Sequence, residues 1–128
     1  MVEFSILLPW FVFLFIGTID MGFYCYALIA VQGAARVACT YTVMNSVPTD
    51  QVNACRYALG QMTDLPNFPG TSYACTAAPV TVTATQVTGP DGANAAQVVV
   101  TYVPPTLGGI PNILPGQPTI TRTVIMKL

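Results

Sequence analysis

Hydrophobic positions fall along this chain in three successive patterns. From Phe4 to Val31 they are nearly continuous, FSILLPWFVFLFIGTIDMGFYCYALIAV, with Asp20 the single charge inside the run and Glu3 standing just ahead of it. A helix that is apolar on every side cannot lie on a protein surface; it must be immersed in lipid or in the centre of an assembly. As an α-helix these 28 residues reach about 42 Å at about 1.5 Å per residue, more than the roughly 30 Å of a bilayer's hydrocarbon. AVQGAARVACTYTVM continues the helix without a strong breaker until Asn45 and Pro48 signal its end. Pro9 removes one backbone hydrogen bond and predicts a kink, which neighbours in lipid or in a packed core tolerate.

The second pattern is a short helical one. Thr49-Asp50 supplies a cap for DQVNACRYALGQM, which places Val52, Cys55, Leu59 and Met62 on one face. The prolines and glycine of DLPNFPG end it. Beyond them the period switches to two: Val80, Val82 and Ala84 alternate with Thr81, Thr83 and Thr85. The turn GPDGAN and then AQVVVTYV complete a hairpin. After the loop PPTLGGIPNILPGQP, TITRTVIMKL reads as a third strand. The expected fold is α+β, with a long hydrophobic N-terminal helix over 1–47. A small exposed domain over 48–128 follows, made of a short helix and an antiparallel sheet of about three strands.

Composition sharpens this picture. Charged residues make up 7% of the chain, against about 25% in ordinary soluble proteins, and between residues 65 and 121 the only one is Asp91. Such a surface suits a domain covered by neighbours, or a secreted domain of low charge density. The net charge of −1 gives no basic patch, so nucleic acid is not an expected partner. Histidine is absent, which removes the commonest general base and the commonest transition-metal ligand together. The remaining charges are scattered, so no catalytic cluster, metal site or cofactor is expected and the chain does not read as an enzyme. Cys25, Cys39, Cys55 and Cys75 are spaced 14, 16 and 20 apart, with no Cys-x-x-Cys pair for a zinc cage. An even count beside a membrane span favours an exported domain with one or two disulfides. The start MVEF lacks a secretory signal's basic flank, so the apolar segment is expected to be retained and any leader to have been removed ahead of residue 1.

Individual residues carry the assembly chemistry. Ala27, Ala30, Ala34 and Ala38 fall within about 80° of one another on a helix and form a small-residue stripe that allows close helix packing, although alanine is also simply the best helix former. Glu3 marks either the membrane interface or, drawn into a helix core, a carboxylate that needs a cation such as the α-amino group of another copy. Asp20 is either a boundary residue or an intramembrane acid. Its own Arg36 lies roughly 24 Å along the helix, so a partner must be another chain or a hydroxyl such as Thr18. The aromatic cluster from Trp10 to Tyr26 fills space between helices. Four cysteines allow three full pairings. Cys55–Cys75 is the leading pair, while a helical hairpin turning at 45–49 would bring Cys39 level with Cys55, and Cys25 reads as a free, buried thiol.

Taken together, Glu3-Phe4, Pro9, Gly17-Thr18-Ile19-Asp20-Met21-Gly22, Ala34-Ala35-Arg36 and the closing VVVTYVPPTLGG and TITRTVIMKL segments resemble the TadE-like pilins of tight-adherence secretion systems. The resemblance implies a precursor in the inner membrane whose leader is cut by a prepilin peptidase. It also implies secretion machinery as a partner and assembly with other copies into an extracellular surface filament used in attachment. The expected function is therefore a structural pilin subunit polymerising through its N-terminal helix. The alternative is a single-pass membrane protein displaying a small exported binding domain.

Overall fold

The computed structural model describes residues 2–105 and 118–128, with the side chains of Val2 and Glu3 excepted. Helix α1 runs over Val2–Met44, 43 residues, or about 65 Å. Pro9 lies within it without interrupting the helical assignment. The helix stops where its sequence predicts. Ser46 adopts a left-handed φ of 55°, the amide of Ser46 donates to Val43 O (3.1 Å) and that of Val47 donates to Thr42 O (2.9 Å). These paired bonds form a Schellman closure that satisfies two of the last carbonyls.

Helix α2, Gln51–Gly60, is capped by Asp50, whose Oδ1 accepts from the Asn53 amide at 3.2 Å. The Tyr41 hydroxyl donates to Asp50 Oδ2 at 3.3 Å, and the Tyr41 and Tyr57 rings stack with centroids 4.5 Å apart, fixing α2 against the end of α1. The buried face of α2 consists of Ala54, Cys55, Ala58 and Leu59, and Met62 beyond the helix is buried as well. Val52, expected on that face, is instead 73% exposed. Val52 is only about 20° around the helix from fully buried Leu59, so what separates them is height: Val52 lies two turns earlier, in the first turn of α2, ahead of the stretch from Ala54 onward that is covered.

The sheet has four strands rather than three, in the order β1-β2-β3-β4, all antiparallel: β1 Thr76–Ala77, β2 Val80–Thr88, β3 Asn94–Tyr102 and β4 Ile120–Lys127. The extra strand is two residues that pair as Thr76↔Thr81 and Ala77↔Val80. A period-two signal needs more residues than that to be visible. The loop segment 106–117, expected to be irregular, lies outside the described residues. The inner face of the sheet is formed by Val80, Val82, Ala84, Val98, Val100 and Tyr102, all buried against α1 and α2. The alternate threonines of β2 face outward, as the alternation predicts. The Tyr102 hydroxyl donates to the carbonyl of Pro66, tying the irregular 61–75 segment to the sheet.

Two carboxylates link this fold to pH. Asp50 is held below the ordinary carboxylate range by hydrogen bonds from the Asn53 side chain and amide. Asp91 is held low by the Lys127 ammonium, 2.7 Å away, and then by the Ala93 amide. Because both are depressed, the unfolded chain binds protons first. Their contribution to stability is complete above about pH 4 and is lost as pH falls through the lower folded-state values. Thermal melts of the detergent-solubilised chain are expected to be flat from about pH 5 to 8 and to fall below about pH 4. D50A/D91A is expected to reduce that acid slope.

Candidate functional site

Helix α1 has two surroundings along its length. In its first half Phe4, Leu7, Trp10, Phe11 and Phe15 are all at least half exposed, Phe4 at 78%. Pro9, Gly17 and Gly22 are exposed as well, and a Cβ at either glycine would meet nothing within 4 Å. Burying one large apolar side chain is worth about 1.5–3 kcal/mol, so ten left uncovered would forgo on the order of 15–30 kcal/mol. That exceeds the roughly 5–15 kcal/mol by which a whole domain is stable. This surface requires a cover, and its length and composition fit a membrane span.

The second half of α1 is covered by its own domain. Ala27, Ala34 and Ala38 are buried and Ala30 is half-buried, with Val31, Ala35 and Thr42 buried beside them. The small-residue stripe thus lies under α2 and the sheet of the same chain. Cys39, weighed as a disulfide partner, is a free and buried thiol pointing at the sheet, with Ala96 O and Val124 O 3.5 and 3.7 Å from its Sγ. The bridge is Cys55–Cys75, with Cα atoms 5.9 Å apart. Equal depth on adjacent helices did not pair Cys39 with Cys55, because Cys39 is turned toward the strands. Cys25 is free, as expected, but exposed rather than buried. It lies below the domain and more than 90° around the helix from the covered alanines.

The charged residues separate further. The Glu3 backbone lies in α1, while its side chain falls outside the described residues. Asp20 is half-exposed on the same side as the alanines. The Thr18 hydroxyl does not serve it, since it donates to Phe15 O at 2.8 Å. Among the described residues no hydrogen bond or ion pair reaches Asp20. Arg36 is exposed on α1 and shares a cleft of about 550 Å³ with Arg122 of β4 and with Gln32. Nothing local in the sequence brings Arg36 and Arg122 together. The available signal is parity: Arg122 alternates in step with Ile120, Val124 and Met126 on β4, although Arg122 itself is exposed.

A long apolar helix, bare over its first half and carrying a compact α+β domain on its second, has a pilin-like layout and fits membrane anchoring. The family model of TadE-like proteins matches residues 1–39, the segment that contains the bare half, Asp20 and the alanines up to Ala38. The match covers less than a third of the chain, and over that segment the chain is similar to TadE-like proteins. No curated protein and no solved structure matches the chain.

Proposed function

We propose that the protein is a pilin subunit, held in the inner membrane by α1 before assembly and then polymerised through that helix with other copies into an extracellular surface filament. The observation that carries this reading is the division of α1. The domain closes over the alanines and leaves the apolar half bare, with Pro9, Gly17 and Gly22 on open surface. A simple anchor needs about 20 residues to cross a bilayer. Lipid and a bundle of like helices are both apolar, so transfer between them costs little in hydrophobic terms and packing decides the outcome. The sparsely charged domain surface suits subunits packed side by side. Prepilin peptidase and the secretion machinery are the partners this route requires.

Fractionation tests the reading. Cells expressing the chain are sheared, and the lipid-free surface material is examined by microscopy and mass spectrometry. The chain is expected both in the membrane fraction and in thin filaments of the sheared fraction. Its confinement to membranes, as a detergent-bound monomer displaying its sheet domain, would instead support the single-pass alternative.

A further inference from the structure

The cleft shared by Arg36 and Arg122 opens between α1 and the outer edge of β4, with Gln32, Thr121 and Thr123 on its walls. Arg122 stands opposite Val100 in the register, on the face of β4 otherwise given to Ile120, Val124 and Met126. A charge on an edge strand discourages edge-to-edge pairing, and Arg122 is exposed there. That role accounts for Arg122 alone, and leaves unexplained the second guanidinium that α1 brings to it. Among the described residues no acid lines the cleft. Asp50 is engaged by Tyr41 and the α2 cap, and Asp91 is engaged by Lys127 at the other end of β4. Two guanidiniums facing one cleft without a counter-charge form a site for an anion, with carboxylate and phosphate the geometries they match.

Asp20 presents the complementary problem. It is an acid in the apolar half of α1 with no partner among the described residues. When that half is covered, a bare carboxylate costs several kcal/mol unless a cation meets it. Within one chain the two cannot meet. Sixteen positions separate Asp20 from Arg36, which is about 24 Å along the axis and about 160° around it. Acid and cation on opposed faces at different heights make a heterologous contact, which repeats from copy to copy without closing.

Resting on the filament reading above, we propose that the Arg36–Arg122 cleft receives the Asp20 carboxylate of a second copy of this chain, displaced by about 24 Å along the helix axis, and that this pairing sets the register between neighbours. A phospholipid phosphate is the competing anion. If the hydrocarbon covers about 20 residues from Phe4, Arg36 stands about 20 Å beyond its edge, whereas headgroups extend only about 5–8 Å. Lipid headgroups therefore fall short of the cleft, and a neighbour's helix does not.

Zero-length cross-linking tests the pairing. Filaments are grown from mixed isotopically labelled and unlabelled R36K/R122K chains and treated with a carbodiimide, which joins a carboxylate to an amine in contact with it. The expected product is a mixed-isotope peptide joining Asp20 of one chain to the amine at position 36 or 122 of another. Amines joined only to Asp64 or Glu3, or left free, overturn the pairing while the filaments themselves sustain the filament reading. Failure of the native chain to form filaments removes that reading and the pairing with it. A phospholipid that co-purifies with native filaments and is absent from R36Q/R122Q filaments overturns the pairing in favour of lipid. Yield gives a second readout. R36E/R122E is expected to lower filament yield at least about tenfold, and adding D20K to that chain to restore it; an undiminished R36E/R122E yield overturns the proposal.

Discussion

Replacing Cys55 and Cys75 by serine, or reducing their bridge, is expected to lower the stability of the folded chain by about 3 kcal/mol. The bridge closes a sequence separation of 20 residues, and the chain-entropy estimate for a loop of that length is about 3 kcal/mol. The segment it holds has little else. Between α2 and β1 the chain forms turns, anchored by buried Leu65, by the Tyr102–Pro66 hydrogen bond and by the Tyr73 hydroxyl donating to Ala77 O at 2.6 Å. For a domain of this size the loss corresponds to a fall in Tm of roughly 12–24 °C. Melts of the full chain in detergent, with and without reductant, measure it. C25S/C39S should show the same response to reductant as the native chain, because neither thiol is bridged. A shift under about 1 kcal/mol would mean that packing alone holds residues 61–79 in place.

Enlarging the buried alanines is the second large effect. Ala34 and Ala38 are fully buried between α1 and the chain's own α2 and sheet. A34L and A38L each add atoms where none fit, and overpacking of this kind typically costs about 1–3 kcal/mol. The effect should be present in the detergent-solubilised monomer. Ile29, 72% exposed on the same helix, is the control: I29A should leave monomer stability within about 0.5 kcal/mol. Monomers unharmed by A34L and A38L, with filaments lost, would move the stripe's role from the domain to contacts between copies.

Helix α1, its end at Asn45, the Asp50 cap, the β2–β3 hairpin and β4 were all legible because each rests on local chemistry: an apolar run, a capping oxygen, a turn, a period of two. What was not legible depends on which surfaces meet. The alanine stripe reads as helix-pairing chemistry in sequence, yet the structure places α2 and the sheet over it. Val52 shares a helical face with Cys55 and Leu59, but it lies in the first turn of α2, and how far along the helix the cover reaches is not written in the spacing. Cys39 sits level with Cys55 and still faces the strands, since rotation about α1, which spacing along the chain leaves open, decides its partner. Arg36 and Arg122 lie 86 residues apart, and only the docking of β4 beside α1 makes them neighbours. Asp20 is legible in the sequence because an acid in an apolar run is expensive wherever it lies.

A side-chain-resolution map of sheared surface filaments tests the central claim most directly. The account predicts that residues 4–23 of many copies pack against one another at the filament axis, with lipid absent and the sheet domains outside. Filaments in which this helix is missing from the core, or which lack the chain altogether, would contradict it.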